Sequence, residues 1–378
     1  MGNNYVGILV NSGTYRGIPS GKPKQESLSC YEEAGKRYGI TPCYVRLADL
    51  HPDKKEAVAY VKGKYGYVRK TVPIPRVIHN RALYFRKESH DRIKELVRQG
   101  IQIFNETNRY GKIVIDRILR EEPEVIGHLP DTMLYTADNL KLMMQRHDSL
   151  ILKPNNASLG QGVIKLLRYS SGWKLYYPAG KAGVKTAYAR AKEMPKAVSA
   201  FTSHKKYIIQ QYIPLAAYNG RPFDLRVVVQ RDGSGQWQVT GIIGKVAGAG
   251  RYITNVANGG SVSRIEQLLP AALPHFPVQE LKERIDAVSL SIAKRMESKL
   301  PHLADLGFDI GITSQGEVKF IESNGCGRRY GFLKARMYDI WRATYSNPIA
   351  YADFLLRSGS GESGGGENET GCQSDLLI

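Results

Sequence analysis

The sequence of 378 residues contains little cysteine and no long apolar run. Its cysteines show neither the C-x-x-C pairs of a zinc site nor the dense spacing of a disulfide framework. No segment is apolar over the length that crossing a bilayer requires, and the first residues lack the basic and apolar regions of a secretion signal. We therefore expect free thiols in a reducing compartment, a cytoplasmic protein and no membrane partner. The four cysteines are Cys30, Cys43, Cys326 and Cys372.

Acidic residues are few relative to basic ones: 35 Asp and Glu stand against 54 Lys and Arg, and the formal net charge is +19. Residues 358–378 contain four acids and no Lys or Arg, so the positive excess lies in the rest of the chain. Such a surplus favours anionic partners (nucleotide phosphates, an acidic peptide or polymer, nucleic acid), but it also fits a merely basic solvated surface. Because residues 358–378 are rich in Gly and Ser, we predict that they form a disordered acidic tail.

The apolar patterns predict alternating strands and helices near the N-terminus and a β-rich middle. Over residues 1–105 this alternation is typical of a small α/β domain. Because residues 72–80 contain prolines, we expect an edge strand or an extended loop there. The predicted strands cover residues 5–10, 41–47, 101–104, 149–153, 163–168, 173–177, 207–213, 223–231 and 236–244, and the predicted helices include residues 88–99, 113–120, 137–147, 278–300 and 333–356.

Near residue 310 the sequence places three hard-oxygen side chains on two predicted neighbouring strands. Asp309 lies on the first, a turn follows at residues 314–316, and Glu322 and Asn324 lie on the second. Residues two apart on a strand point to the same face, so Glu322 and Asn324 should converge. Carboxylate and amide oxygens suit Mg²⁺, which also accepts phosphate oxygens. Taken alone, the pattern fits a magnesium site and an ordinary hairpin with polar ends equally well.

A lysine precedes a glycine-bearing loop in the middle of the chain. The predicted strand delivers Lys153 to a loop that contains Gly160 and Gly162 before the next strand begins. Glycines allow backbone N–H groups to approach phosphate oxygens closely, and the lysine adds a positive charge. No G-K-[ST] follows, so the segment is not a P-loop. A Gly-rich hairpin of this kind is compatible with nucleotide binding but is not specific to it.

Three further segments carry candidate polar residues. The strand that ends in residues 210–213 runs into a kink at Pro214, where backbone groups could recognise an adenine edge, although such a strand is also common in ordinary cores. Asp224 and Arg226 share one face of a strand, either as a buried structural ion pair or with Arg226 as a catalytic residue. Lys245 lies at a strand edge before a loop of small residues.

The order of these segments along the chain resembles that of the ATP-grasp superfamily. Within it, the segments F-D-L-R-V-V-V-Q-R-D, T-N-V-A-N-G-G and I-E-S-N are similar to the YheC/YheD group of endospore coat-associated proteins. The resemblance covers residues 5–355 and includes Lys141 on a helix ahead of Lys153. It implies an α/β (α+β) ATP-grasp fold over residues 106–357, preceded by the small α/β domain over residues 1–105 on the substrate side.

The resemblance also implies a role for each candidate residue. Lys141 and Lys153 would contact the phosphates of ATP beneath a flexible loop that contains Gly160 and Gly162. Lys245 stands where we would expect arginine in this group, which keeps a phosphate contact but loses bidentate geometry. The implied adenine-binding residues are Gln210, Gln211, Tyr212 and Ile213, the implied Mg²⁺ ligands are Asp309, Glu322 and Asn324, and the implied catalytic residues are Arg226, Lys245 and Lys153.

In this superfamily ATP phosphorylates a carboxylate, and an amine then displaces the phosphate. The resemblance thus implies a carboxylate–amine ligase that acts through an acyl phosphate on small-molecule or peptide substrates, which we expect to be anionic. Arg328 and Arg329 could bind a substrate carboxylate or belong to the basic surface, and Arg81 is a further substrate candidate. The alternative is a catalytically silent ATP-grasp protein with a structural or binding role in the spore coat. Nucleic acid is not expected as a partner, because no recognition motif accompanies the charge.

Overall fold

The computed structural model of the protein describes residues 4–157, 160–178, 183–202, 204–250, 254, 259–325, 327 and 329–358. The predicted acidic tail lies outside these residues except for Ser358, and so does the substrate candidate Arg328. Within the described ranges, no helix combines the length and the apolar character that crossing a membrane requires.

The described residues form three β-sheets with helices packed on them. The strands are β1 Tyr5–Leu9, β2 Thr41–Val45, β3 Leu50–His51, β4 Glu56–Gly63, β5 Gly66–Pro73, β6 Val77–Asn80, β7 Gln102–Phe104, β8 Thr132–Leu134, β9 Ser149–Pro154, β10 Ile164–Tyr169, β11 Gly172–Pro178, β12 Val184–Arg190, β13 Tyr207–Gln211, β14 Ala217–Tyr218, β15 Arg221–Arg231, β16 Trp237–Val246, β17 Ser261–Ser263, β18 Asp305–Ile312 and β19 Val318–Asn324. The helices are α1 Ser12–Gly17, α2 Leu28–Tyr38, α3 Lys87–Arg98, α4 Lys112–Arg120, α5 Pro123–Ile126, α6 Ala137–Arg146, α7 Met194–Thr202, α8 Ile265–Ala272, α9 Val278–Glu297, α10 Tyr330–Lys334 and α11 Tyr338–Ser358.

The first sheet is built around four parallel strands in the order β2, β1, β6, β7. The expected edge strand is found at the end of β5, which pairs with β4 alone. The same expectation is wrong for residues 77–80, since β6 lies inside the sheet and all four of its residues are buried. Pro73 and Pro75 precede β6, so neither removes a donor from its ladder. Burial on both faces is typical of a parallel strand.

The last helix, α11, completes the core of this first sheet. It packs against α2, and its residues Tyr345 and Ile349 belong to the same buried cluster as Val6 and Ile8 of β1. The chain therefore returns to its N-terminal sheet after forming the other two. This return brings the loop that follows β19 close to the segment that follows β6.

The second sheet is antiparallel, with the strand order β12, β11, β10, β9, β13, β8. On β9, Leu150 and Leu152 are buried in an apolar cluster with Trp173 of β11. Because side chains alternate along a strand, Ile151 and Lys153 point to the opposite face. That face lines a cleft between the second and third sheets.

The third sheet has the order β17, β16, β15, β18, β19, with β14 beside β15. Leu225 and Val227 of β15 are buried in one cluster with Leu281 and Ile285 of α9. Burial of one face sets the register, which leaves Asp224 and Arg226 on the face toward the cleft. The register then places Arg226 opposite Asp309 of β18, and Asp309 opposite Glu322 of β19.

Candidate functional site

A cleft of about 360 Å³ lies between the second and third sheets, and one side of it is closed by α4 and by the segment after β6. It brings together residues that the sequence places more than 170 positions apart, because each sheet presents its polar face to it. The predicted site residues that line the cleft are Lys153, Gly160, Gln210, Gln211, Tyr212, Ile213, Arg226, Lys245, Asp309, Glu322 and Asn324.

Lys153 lies inside the cleft rather than at its rim. Its Nζ donates a hydrogen bond of 2.7 Å to the side-chain oxygen of Gln210, whose amide nitrogen in turn donates to Thr132 at 3.0 Å. Burial and the ammonium of Lys112 together lower the pKa of Lys153 to about 8, although Glu322 opposes this shift. Lys153 is thus a positioned cation whose charge is sensitive to mildly alkaline pH.

The glycines of the loop after β9 are required by its backbone. Gly160 and Gly162 have φ angles of 69° and 70°, in the left-handed region that favours glycine. The carbonyl of Gly162 accepts a hydrogen bond of 3.1 Å from the Tyr207 hydroxyl, and a Cβ at Gly162 would lie 2.8 Å from that oxygen. Gly160 lines the cleft, whereas Gly162 holds the loop against β13.

The segment after β13 forms an end of the cleft through residues 210–213. The N–H groups of Gln211 and Tyr212 already donate to the carbonyls of Asp131 and Ser149, at 2.8 and 3.1 Å. The ammonium of Lys165 lies 3.6 Å from the centre of the Tyr212 ring, a cation–π contact. Within the described chain, the Ile213 N–H forms no hydrogen bond.

Four charged side chains meet on the third sheet. Arg226 Nε donates to Asp309 Oδ1 at 2.8 Å, and Lys245 Nζ lies 2.9 Å from Asp309 Oδ1 and 3.0 Å from Asp224 Oδ1. The uncharged Thr254 also donates a hydrogen bond to Asp224. Asp224 and Arg226 therefore share a face, as predicted, but each bonds to another partner.

The two carboxylates of this set differ in their pKa. Burial and the neighbouring charge of Asp309 raise the pKa of Asp224, although Lys245 opposes the shift. Burial also disfavours the ionised form of Asp309, but Arg226 and Lys245 outweigh it and hold the pKa of Asp309 below its usual range. Asp309 is therefore the more acidic of the two carboxylates.

The residues predicted to bind Mg²⁺ fit that ion by position and by donor type. Asp309 and Glu322 are cross-strand partners, and Asn324 lies two residues beyond Glu322 on the same face. The side-chain nitrogen of Asn324 is buried and has no hydrogen-bond partner among the described residues. Because an amide can be turned over without changing its shape, its oxygen fits the same place and can face a cation. In the described chain no three His, Cys, Asp or Glu side chains cluster at metal-binding distance, so a cation held here would require this amide and phosphate oxygens to complete its ligand set.

The structure brings to the cleft a lysine that sequence reasoning missed. Lys112, the first residue of α4, donates to the Ala157 carbonyl at 2.7 Å and lies 3.6 Å from Glu322. Its position is set by Asn155, whose side-chain oxygen accepts the Ile113 N–H at 3.0 Å. Asn155 thereby joins the start of α4 to the Gly-rich loop. The signal in the sequence was a lysine directly after Gly111, at the start of a predicted helix.

Lys141, by contrast, does not line the cleft. It lies on α6, its side chain is 56% exposed, and it pairs with Asp138 at 2.9 Å on the outer surface. A helical pattern alone does not determine which side of α6 faces the cleft, and packing turned this lysine outward. Of the two lysines predicted to meet phosphates, the structure places only Lys153 where such contacts are possible.

The substrate candidates Arg81 and Arg329 are also absent from the cleft wall. Both are buried and both contact Asp305 Oδ2, at 3.2 and 2.7 Å. Arg81 also pairs with Glu26 at 2.9 Å, and His79 Nε2 lies 3.2 Å from Asp305. Burial lowers the pKa of His79 to about 4, so the two arginines and the two acids balance in charge. This cluster joins the segment before α2, β6 and the segment after it, β18 and the loop after β19.

Comparison with known proteins decides which family this architecture represents. A sequence profile described as YheC/D-like ATP-grasp matches residues 100–355, which is more than half of the chain. The chain belongs to the YheC/D-like ATP-grasp family. The family and the fold that the residue pattern predicted are thus confirmed.

Curated relatives of this YheC/D-like protein carry the names of the group. The endospore coat-associated protein YheD of Bacillus subtilis (strain 168) is 24% identical over 298 residues, which covers 77% of this chain and 65% of YheD. The chain thus spans less than two thirds of the length of YheD. YheC of the same organism is 19% identical over 322 residues, covering 82% of this chain and 88% of YheC.

Solved structures show the same fold. D-alanyl-alanine synthetase A from Vibrio cholerae superposes with a TM-score of 0.53 at 12% identity, covering 95% of this chain and 98% of that one. At this identity the likeness extends to the fold and not to substrates.

Proposed function

We propose that this protein is an ATP- and Mg²⁺-dependent ligase that joins a carboxylate to an amine through an acyl phosphate. The observation that carries the proposal is the convergence of four cations and three hard-oxygen ligands on one cleft. Phosphoryl transfer to a carboxylate brings two anions together, so an enzyme contributes chiefly positive charge and positioning. The cations are Lys112, Lys153, Arg226 and Lys245, and the oxygen ligands are Asp309, Glu322 and Asn324.

We assign the nucleotide to the second sheet and α4. The adenine would lie against residues 210–213, where the Ile213 N–H is available to its edge. The phosphates would lie between Lys153 and Lys112, beneath the loop that contains Gly160. Lys112 thus takes the place that the sequence had suggested for Lys141. We further propose that residues 106–357 form the nucleotide-binding domain and residues 1–105 the substrate side.

Asp309, Glu322 and Asn324 would hold the metal ion, whose chemical contribution is to neutralise charge on the phosphate oxygens. Arg226 and Lys245 both contact Asp309, so they would lie beside the same phosphate oxygens as the metal ion. Their role would be to hold the transferred phosphoryl group in place and to stabilise the charge that develops on it. Lys245 acts as a point charge, since an ammonium cannot grip an oxygen pair as a guanidinium does.

The reaction balances as two displacements. A carboxylate oxygen attacks the γ-phosphorus, the bond to the bridging oxygen breaks, and ADP leaves. The amine nitrogen then attacks the acyl carbon, the carbon–oxygen bond to phosphate breaks, and the amine loses a proton. We expect the carboxylate and amine substrates to be small molecules or peptide ends with negative charge, since the walls of the cleft are rich in cations. The names of the curated relatives motivate a further proposal, association with the spore.

An ADP-release screen of carboxylate and amine pairs, with mass spectrometry of products, tests the ligase proposal. We expect ADP formation that requires both substrates and Mg²⁺, and its loss in Lys153→Ala and Glu322→Gln. Lys141→Ala is the matched control, because it removes an exposed lysine outside the cleft and should keep full activity.

Two results would contradict the proposal. Unchanged ADP formation in Lys153→Ala would show that the cleft is not the site of turnover. Nucleotide binding without ADP release across a broad panel would instead favour the catalytically silent protein with a structural role.

A further inference from the structure

Two large apolar side chains line the cleft on the side of the first sheet and are open to solvent. Leu83 is 37% exposed and Phe85 is 73% exposed, and both belong to the segment between β6 and α3. An exposed apolar pair beside a reaction centre marks a binding surface more often than an isolated exposed residue does.

The backbone under these side chains is fixed. The Leu83 N–H donates to Asn11 Oδ1 at 3.0 Å, and Asn11 Nδ2 donates back to the Leu83 carbonyl at 3.0 Å. One residue earlier, the Ala82 N–H donates to Asn80 Oδ1 at 3.0 Å. The exposure of Leu83 therefore results from a defined conformation of this segment.

Arg109 stands next to this apolar pair. Its guanidinium carbon lies 5.1 Å from the centre of the Phe85 ring, and the residue also lines the cleft. Among the described residues, Arg109 forms no hydrogen bond and no ion pair. The other four cleft cations all do: Lys112 and Lys153 bond to oxygens, and Arg226 and Lys245 bond to Asp309.

The neighbouring residue, Asn108, connects this arginine to both sides of the cleft. Its side-chain nitrogen donates to the carbonyls of Asn80 and Ala82 at 2.7 and 2.9 Å. Its backbone packs so closely on Gly325 that a Cβ there would lie 2.9 Å from the Asn108 Cα. Asn108 thus fixes the backbone beside Arg109 against Gly325, the residue that follows the proposed metal ligand Asn324, while Arg109 itself contacts the Phe85 ring.

We propose that Arg109, Phe85 and Leu83 form a subsite for a substrate that carries an unreacted carboxylate beside an apolar or aromatic side chain. A guanidinium binds a carboxylate through two parallel hydrogen bonds, and an exposed ring beside it supplies apolar contact. That the occupant is a substrate rests on the proposed function, whereas the binding site itself does not. The subsite supplies the anion recognition that Arg81 and Arg329 cannot, since both are already paired with buried acids.

Binding of a probe pair tests the subsite without requiring turnover. Saturation-transfer NMR compares N-acetyl-L-phenylalanine with N-acetyl-L-phenylalaninamide, which has the same ring and no carboxylate. We expect the acid to bind at least about tenfold more tightly than the amide. Arg109→Ala should remove that preference, Arg109→Lys should restore it in part, and Phe85→Ala should weaken both probes.

Arg86→Ala is the matched control, because Arg86 is an exposed arginine one residue from Phe85 that does not line the cleft. It should bind both probes as the unaltered protein does. ADP affinity should be unchanged in each variant, and this result would confirm that the cleft is folded. Equal binding of acid and amide, no binding of either, or an Arg109→Ala variant that keeps the preference would overturn the subsite.

The probe-binding measurements, combined with the ADP-release screen, separate this inference from the ligase proposal. Arg109-dependent binding of the acid, together with no ADP release across the panel of carboxylate and amine pairs, would leave the subsite standing and refute the ligase. ADP release that is insensitive to Arg109→Ala with anionic apolar substrates would refute the subsite and leave the ligase standing.

Discussion

The sharpest prediction concerns which lysine accompanies Lys153 at the phosphates of ATP. The structure places Lys112 in the cleft, with a side chain only 15% exposed and 3.6 Å from Glu322. Lys141 is 56% exposed and pairs with an acid that is itself 90% exposed. Replacing each lysine in turn by alanine should therefore have very different effects on nucleotide affinity.

The expected magnitude follows from these exposures. A charge-assisted hydrogen bond in a shielded cleft contributes about 1.5–3 kcal/mol. Its loss in Lys112→Ala should weaken ADP binding by about 10- to 100-fold. The exposed pair formed by Lys141 contributes at most about 1 kcal/mol to stability and nothing to the cleft, so Lys141→Ala should change the affinity for ADP by less than about twofold.

Isothermal titration with ADP and Mg²⁺ measures these affinities directly, and circular dichroism confirms that each variant is folded. The reasoning is refuted if Lys141→Ala loses as much affinity as Lys112→Ala, or if Lys112→Ala binds ADP normally. A Lys112→Arg variant adds a check, because it keeps the charge and should retain most of the affinity.

Three further predictions follow from other parts of the structure. Since the pKa of Lys153 is lowered to about 8, the protonated form that binds phosphate is lost as pH rises through this value; ADP affinity should therefore fall above about pH 8. Lys153→Arg should flatten this profile, and an equally steep profile in that variant would contradict the assignment. Asp305→Asn should lower the free energy of unfolding by about 3–5 kcal/mol in urea denaturation, because it leaves buried Arg81 and Arg329 short of a counter-charge. The exposed control Asp148→Asn should cost less than about 1 kcal/mol, and similar losses in the two variants would argue against a buried cluster. Gly325→Ala should cost about 1–3 kcal/mol because its Cβ would meet the Asn108 backbone, whereas Gly127→Ala, which has open space, should be nearly neutral in the same assay.

The depressed pKa of Asp305 also sets the direction of its pH dependence. Burial opposes its ionisation, but Arg329, His79 and Arg81 hold its pKa far below the usual range. A carboxyl whose pKa is lower in the folded state stabilises the fold above the pKa of the unfolded chain, about 3.9, and this contribution is lost as pH falls below it. The stability difference between the natural protein and Asp305→Asn should therefore shrink in acid.

Much of the site could be read from the sequence because strands carry local information. Alternation along a strand places Asp224 with Arg226, and Glu322 with Asn324, whatever the sheets do. Likewise, the glycines at 160 and 162 indicate a backbone conformation that other residues rarely adopt, and both have positive φ angles. The two-residue period of a strand and the conformational freedom of glycine were sufficient to identify these residues.

The partners of those residues depended on tertiary structure. Arg226 bonds to Asp309, 83 positions away, and Arg81 bonds to Asp305, 224 positions away. Nothing local distinguishes an arginine that will meet a substrate from one that will meet a buried acid, so Arg81 and Arg329 seemed suitable for a substrate. No local pattern marks Asp305, although it contacts both arginines.

Tertiary packing also determined which of the two lysines, Lys112 or Lys141, lies in the cleft, and where Arg109 lies. The helical period shows which residues share a side of a helix, but only packing decides which side faces a cleft. Packing leaves Lys141 on the outer surface and places Lys112 in the cleft. Arg109 lies in a loop with no periodic pattern, so its place beside Phe85 follows from contacts made by Asn108. The sequence by itself determined the strands and the order of polar residues along them, because those depend on local periodicity, and its motifs carried the resemblance that identified the family. Tertiary structure alone decided which charges meet one another and which remain available to a ligand, because buried charges are paired by packing across distant parts of the chain.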